Sequence, residues 1–535
     1  MVLSISRKGL SLIDKNTSKL VFNGKIRDSL HDTISFTELE KNIINSKEFQ
    51  RLRRISQTAF TQYVFPGASH TRFEHSLGVM HIAGLMFNAI ALNQRRLLSS
   101  LSHAAANAPQ LILDNLKSNE NERGSLLDTE NALNWIENSA YICQCVRLAA
   151  LLHDIGHAPY SHSGERFMIS WHEFARNLDN IKLPNWLKNS FTKKINSLKE
   201  KNINLLETKI KHEVYTLMII SKLFNSELGQ LTKQMGQDIC AILDLNVEPE
   251  KNSELAKSGL QSLLHEIVSG EIDADRMDYL LRDSRECGII YGYFDLGRIL
   301  DSLGFYYNSK NKKYHLALRR SGISAFEDYL RARWSMYQQV YFHKTVTATE
   351  AMFQNINKNN PEILLPIEVN EFILIDDHNF FSYIKNKFNN LLDSFSEKIL
   401  VDLIYNRNLW KRVYEECIPK NSSRDIPSLC PAIVNFLESL NYPCELIENS
   451  TNLTNFSPKG RNSVSKNHLK IIIKDVYSLK YLEPIENHSV LINSTNEEII
   501  IRRIYISQFN INKEPIITKE IQKLISDNII HPDKG

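Results

Sequence analysis

The 535-residue sequence predicts a mainly α fold, a helical core followed by a smaller α+β C-terminal region. From about residue 36 to 353, apolar residues recur at three- and four-residue spacing, the period of a helix with one buried face. After residue 468 β-branched runs take over, in 469–476 (LKIIIKDV), 488–494 (HSVLINS) and 497–506 (EEIIIRRIYI). A polar Ser/Asn-rich stretch at 448–467 separates the two textures.

Residues 1–23 read as an N-terminal extension, and 20–36 as short strands or a turn. The stretch 36–57 reads as a helix with Phe49, Leu52 and Ile55 on one face, and 70–90 as a second with Val79, Ile82 and Met86. Residues 96–131 are Ser/Asn-rich and read as an insertion or flexible connection. The helical pattern restarts over 131–154 and continues, more polar, through 180–265. A long helical segment at 323–353 closes a core spanning 24–355. Helices are expected to continue to about 440, within a C-terminal region (356–535) suited to oligomerisation or regulation. No internal repeat is evident.

Hydrophobic residues at 42% and charged residues at 23% are ordinary for a globular protein, and a net charge of +3 is not that of a general nucleic-acid coat. Any anionic ligand must therefore meet local basic residues. No stretch approaches the roughly 20 apolar residues needed to cross a bilayer, so a soluble, cytoplasmic protein without membrane partners is expected. Seven scattered cysteines, an odd number, read as free thiols.

The chemistry concentrates in LLHDIGHAPYSH (151–162), where His153 and Asp154 end an apolar helix. Such a pair can be a hydrogen-bonded turn, since Gly156 and Pro159 stop the helix and histidine suits helix C-termini. It can also supply an imidazole nitrogen and a carboxylate oxygen to a metal ion. Two further stretches favour the metal: SHTRFEHSLGV offers His75 beside Arg72, and EIDADRMDYLLRDS offers Asp275. Together His75, His153, Asp154 and Asp275 form a two-histidine, two-aspartate set from three separated helices, which is how a helical bundle builds an interior metal site. On the helix after 273, Asp275, Tyr279 and Asp283 share a face, as do Arg333, Tyr337, Tyr341 and Lys344 on the later one. Guanidinium groups can clamp an anionic ligand bidentately, and Arg72, Arg276 and Arg333 are the candidates for such a clamp. His70, His81 and His172 read as structural.

Taken in order, FPGASHTRFEHSLGV, LLHDIGHAPYSH, KHEVYTL, IDADRMDYLLRDS and RARWSMYQQVYFHK resemble the HD-superfamily deoxynucleoside triphosphate triphosphohydrolases. These comprise bacterial dGTPase-like enzymes and the HD domain of the vertebrate SAM-and-HD-domain dNTPase. The resemblance runs from about 24 to 355, and implies an HD-domain helical core that cleaves a dNTP (dGTP or several dNTPs) to a deoxynucleoside and tripolyphosphate. It implies a divalent cofactor, Mn, Mg, Fe or Zn, as one or two ions. His157 is implied near the α-phosphate, His162 as the acid for the departing 5′ oxygen, and Glu165, His212 and Glu213 as its support. Glu165 stands where the family usually has an aspartate.

The same resemblance places Arg276 on phosphate, Tyr279 and Asp283 on the deoxyribose 3′-OH, Tyr341 near sugar and base, and Gln57 and Thr58 beside the sugar. Tyr337 and Phe342 replace a histidine and a glutamine, so base preference does not transfer. Gln50 and Arg53 retain part of a regulatory nucleotide site, but Asn45 stands at its guanine-reading acid. A homo-oligomer, dimer or tetramer, is further implied, with roles in nucleotide-pool control or phage defence. The competing readings are an HD-type phosphodiesterase or nuclease acting on oligonucleotides or cyclic dinucleotides, and a non-catalytic nucleotide sensor. Nucleic acid is not the main substrate expected, because Tyr279, Asp283 and Tyr341 suit a single deoxynucleoside.

Overall fold

The computed structural model describes residues 20–106, 129–226, 230–388, 392–419, 428–451, 469–472, 482–489, 491–492, 499–507 and isolated positions between 517 and 526. Residues 1–19, the expected insertion from 107 to 128 and the polar stretch 452–468 lie outside the described residues.

The chain opens with an antiparallel hairpin, Gly24–Asp28 against Asp32–Phe36, with Ile26 opposite Ile34. Instead of one helix over 36–57 there are three pieces, Glu38–Ile44, Lys47–Gln50 and a 3₁₀ turn Arg51–Arg54. The cause is a pair of strong caps. Thr37 and Glu40 form a capping box, and the Ser46 side chain accepts from the Phe49 amide, restarting the helix.

The central helix, Arg72–Ala106, runs 35 residues, so the helical pattern persists eleven residues into the expected insertion. Helices Ala140–Leu152 and Ala274–Glu286 pack against it. Contrary to the expectation from sequence, Arg72–Ser99 is long and apolar enough to cross a membrane, with mean hydropathy 1.4, but 72% of its most apolar window is buried inside the protein. It is a core helix. One cluster of buried hydrophobics extends from Ile34 to Tyr505, across residue 355. A smaller cluster around Cys430, Leu437, Ile504 and Ile517 lies beside it.

Three β features depart from the sequence reading. The core contains a hairpin, Leu303–Asn308 with Lys313–Arg319, whose aromatic-rich strands were not singled out. Lys470–Ile472 adds parallel to Ala317–Arg319, and Leu482–Pro484 completes that four-stranded sheet. Lys411–Pro419, expected to be helical, is a strand, because Ile499–Ile506 pairs with it on one side and with Cys444–Thr451 on the other. Within the expected strand 488–494, His488 is in a turn and Leu491–Ile492 are helical. Ser489 caps that helical turn, its hydroxyl accepting from the Ile492 amide.

Candidate metal centre and active-site cavity

Three helix ends bring the four candidate ligands together. His75 is in the first turn of Arg72–Ala106, His153 caps the C-terminus of Ala140–Leu152 and is followed by Asp154, and Asp275 is in the first turn of Ala274–Glu286. Asp273 is the N-cap that starts the last helix, its carboxylate accepting from the Arg276 amide. Gly156 is required by a close approach: a Cβ there would lie 2.3 Å from the Thr216 amide nitrogen and 2.4 Å from the His212 carbonyl oxygen. The HD turn can thus press directly onto helix His212–Ser226.

His75 Nε2 lies 3.0 Å from Asp275 Oδ1 and 3.6 Å from Asp154 Oδ2, while His153 Nε2 lies 3.3 Å from Asp154 Oδ1 and 3.5 Å from Asp275 Oδ1. An ion with bonds of about 2.0–2.2 Å holds neighbouring donor atoms about 3.0–3.5 Å apart, so this spacing fits one shared cation. Both Nε2 atoms are buried without a hydrogen-bond partner. Their Nδ1 atoms are occupied, His75 by Asp278 Oδ2 at 2.9 Å and His153 by the Ala150 carbonyl at 2.8 Å. Metal-binding histidines are held this way, one nitrogen on a carboxylate or carbonyl and the other on the metal. Burial disfavours charge on Asp154, but the Arg72 guanidinium beside it, with His153, outweighs that and holds the carboxyl well below its ordinary range. The donor set fits a divalent metal.

His153, Asp154 and Asp275, with His75 buried behind them, face a cavity of about 470 Å³, whose wall includes Gln57, Thr58, Arg72, His157, His162, His212, Glu213, Tyr279, Asp283, Tyr337 and Tyr341. The volume is that of a small-molecule site. Beside the ligands lies a second group, His157, His162, Glu165 and His212. His157 and His212 stack, ring centroids 3.8 Å apart and planes within 16°. Nitrogen lone pairs lie in the ring plane, so two near-parallel rings cannot aim at one ion. Glu165 Oε1 lies 2.5 Å from His212 Nδ1 and 3.3 Å from His162 Nδ1. Burial opposes charge on His212, but its hydrogen bond to Glu165, with the Glu213 and Glu165 charges, raises its pKa above the usual imidazole value. Glu165 is correspondingly held far below the usual carboxylate range, those hydrogen bonds overcoming its burial. Glu213, 64% exposed, lies 3.8 Å from His212.

At the other end of the cavity Tyr341 donates to Asp283 Oδ2 at 2.6 Å, and Tyr279 meets Tyr341 edge-on at 6.2 Å. The helix Ile323–Met336 passes into a π turn over Tyr337–Tyr341, which re-aims both tyrosines. The expected arginine clamp is only partly on the wall. Arg72 lines the cavity but is engaged by Asp154, Ser161 and the Gln57 carbonyl. Arg276 bonds the Gly270 carbonyl and pairs with Asp273, and Arg333 lies over the Tyr337 ring at 5.2 Å. Neither Arg276, Arg333 nor Phe342 lines the cavity; Phe342 meets Tyr337 edge-on. Gln50 and Arg53 bond each other at 2.9 Å away from this wall.

Several residues at the site escaped the sequence reading. Asp278, fully buried, is bound by His75, His31 and Arg282. The i+3 spacing after Asp275 is its only local signal. His70, read as structural, holds Asp283 Oδ1 at 2.7 Å. His81 fits its structural reading, buried with its pKa pushed down to about 3, and His172 is exposed.

The family described as "HD associated region" matches residues 294–422. An uncharacterized protein of Methanocaldococcus jannaschii is 30% identical over 394 residues, 72% of this chain and 59% of that protein. The deoxynucleoside triphosphate triphosphohydrolase SAMHD1 of Homo sapiens is 28% identical over 342 residues, 61% of this chain and 43% of SAMHD1. The chain thus spans little more than half of the archaeal relative and less than half of the human one. A crystal structure described as a phosphohydrolase from Bacteroides thetaiotaomicron superposes with TM-score 0.55 at 21% identity, covering 91% of this chain and 99% of that one, a likeness of fold. With the cluster of His75, His153, Asp154 and Asp275, the sequence likenesses support an HD-superfamily, dNTPase-like protein.

Proposed function

We propose that this protein is a metal-dependent dNTP triphosphohydrolase, releasing a deoxynucleoside and tripolyphosphate. The observation that carries the reading is one cavity in which the ligands His153, Asp154 and Asp275, backed by the buried His75, meet His162 and His212 with Glu165 between them and a wall of Tyr279, Asp283 and Tyr341. His75, His153, Asp154 and Asp275 would hold a divalent cation, which when bound would supply Lewis acidity for the α-phosphate and lower the pKa of a water. His157, neutral through burial and the adjacent Arg72 and His212 charges, faces the same phosphate as a hydrogen-bonding group. Water attacks the α-phosphorus, the bond to the 5′ oxygen breaks, and His162 gives that oxygen a proton. Glu165 and His212 orient His162 and hold charge beside it, with Glu213 at the rim. Asp283 accepts the 3′-OH, and Tyr341 closes the space a 2′-OH would need. Gln57, Thr58 and Tyr279 border the sugar, while Arg72, and Arg276 and Arg333 from behind the wall, supply positive field for the phosphate tail.

Purified protein incubated with each dNTP and Mn²⁺, Mg²⁺ or Fe²⁺, singly and in mixtures, is expected to yield deoxynucleoside and tripolyphosphate, separated by ion-exchange chromatography. Nucleoside monophosphates from dNTPs or oligonucleotides, with no tripolyphosphate under any condition, would overturn the reading in favour of a phosphodiesterase or nuclease. The mixtures also test whether a second nucleotide acts as an activator, and sedimentation during turnover tests whether the active species is a homo-oligomer.

A further inference from the structure

The turn between the HD pair and His162 has a conformation its own residues disfavour. Tyr160 and Ser161, neither a glycine, are consecutive left-handed residues with φ of 56° and 57°. Such a turn persists only where its surroundings over-determine it. The surroundings come from a loop more than 200 residues away. Asp377 Oδ1 accepts the Tyr160 amide at 2.6 Å, and Asp377 Oδ2 accepts the Ser56 amide at 2.8 Å and the Ser56 hydroxyl at 2.6 Å. The Tyr160 hydroxyl donates back to the Asp377 carbonyl at 2.9 Å. Arg51, fully buried, donates from Nε to the Ile375 carbonyl at 2.7 Å and from Nη1 to the His157 carbonyl at 2.8 Å. One carboxylate and one guanidinium therefore tie the loop at 375–377 to both sides of the cavity, the Ser56–Thr58 wall and the His157–His162 turn.

We propose that Asp377, assisted by Arg51, is a positioning residue that holds the His157–Ser161 turn in its left-handed form and thereby places His162 over the departing oxygen. The connection continues to the metal ligands: the Ser161 hydroxyl donates to the Ser56 carbonyl at 2.5 Å and accepts from Arg72 Nε at 2.8 Å, and Arg72 pairs with Asp154. His162 itself is 69% exposed at its side chain, held by a 3.3 Å contact to Glu165 and edge-on packing against His157 and His212, so its placement depends on the turn whose backbone Asp377 holds. No residue of this clamp need touch substrate. Its kinetic consequence rests on the triphosphohydrolase reading; its structural content does not.

The test is Asp377→Asn in the full chain, which keeps an acceptor for Tyr160 but turns a donor amide toward the Ser56 amide. Kinetics, metal content and hydrogen–deuterium exchange of peptides covering 155–165 are compared with the wild type. Metal content and KM should stay within about twofold, kcat per folded molecule should fall about 10- to 100-fold, as misplacement of a reacting group produces, and exchange at Tyr160 should accelerate about tenfold. Unchanged exchange and unchanged kcat per folded molecule overturn the proposal. A loss of activity explained wholly by a smaller folded fraction overturns it as well. Should Asp377→Asn not fold, Ser56→Ala, which removes one of the three hydrogen bonds to the carboxylate, is read by the same exchange and kinetic criteria. Should the wild type hydrolyse no dNTP, the triphosphohydrolase reading fails and the exchange result alone decides the clamp.

Discussion

Replacing Asp278 by asparagine should weaken metal binding without touching a metal ligand. The Asp278 carboxylate is inaccessible to solvent and receives four contacts: His75 Nδ1 at 2.9 Å, His31 Nε2 at 2.6 Å, and Arg282 Nε and Nη2 at 2.8 and 3.0 Å. Asparagine retains the shape but loses the charge and one acceptor, so Arg282 together with either His75 or His31 faces a donor amide. Outer-shell carboxylates of this kind affect metal affinity by about 10- to 100-fold, and 100-fold corresponds to about 2.7 kcal/mol of metal-linked stabilisation lost at saturating metal. A second cost falls on the metal-free protein. Arg282 keeps Asp28 as a partner, at 2.9 Å, so the penalty should lie below the about 3–5 kcal/mol of a fully orphaned buried charge. Urea unfolding with and without Mn²⁺, together with chelator competition, separates the two. If the chelator midpoint of a folded Asp278→Asn protein equals that of the wild type, the carboxylate–histidine–metal arrangement is refuted.

Three other outcomes are expected. Glu40→Ala should destabilise the protein by about 3–5 kcal/mol in urea, because Glu40 is fully buried and accepts from Arg147 Nε at 2.7 Å and Nη2 at 2.8 Å; a cost below about 1 kcal/mol would contradict it. For Glu165→Gln the alkaline limb of the kcat/KM profile should move to lower pH. Burial lowers the His212 pKa and the Glu165 hydrogen bond raises it above 6.5, so His212 stays protonated to higher pH only while that carboxylate is present; an unmoved limb would refute the pairing. The same pair supports the fold between the depressed Glu165 pKa and the raised His212 pKa, its contribution fading as pH falls through the first or rises through the second. Tyr341→Phe removes a charge-assisted hydrogen bond to Asp283 and should lower kcat/KM for a dNTP about tenfold while narrowing discrimination against the matching ribonucleotide; unchanged discrimination would count against a sugar-reading role.

The candidate ligands were legible because their chemistry is carried by short phrases: an H, an HD and a D, each at the end of an apolar helical period, admit few arrangements that satisfy all four. Their supports were not. Asp278 is one acidic residue among several on a charged helix, and its importance appears only when His31 and His75 arrive from the other side of the core. Arg51 reads as one of three arginines in RLRR, and Asp377 as one of two aspartates in a loop; each acquires its role from partners more than 100 residues distant. The β elements show a related limit. Ile499–Ile506 is a continuous run rich in β-branched residues and reads as a strand, whereas Lys411–Pro419 sets charged pairs, Lys-Arg and Glu-Glu, between its apolar residues with no strand period and becomes a strand through pairing with it. In the other direction, local apolar character suggested a strand at 488–494 where the chain instead makes a capped helical turn.

The parallel pairing of Lys470–Ile472 onto Ala317–Arg319 makes the distal chain a seal on the core. A fragment cut at residue 355 would contain every candidate ligand, yet it would bare the backbone donors and acceptors of Ala317–Arg319 along an open β edge. It would also expose the apolar surface that Ile363, Leu365, Phe372 and Ile384 now cover. Such a piece would self-associate rather than report on catalysis, and dissection of this protein is better done by point substitution than by truncation.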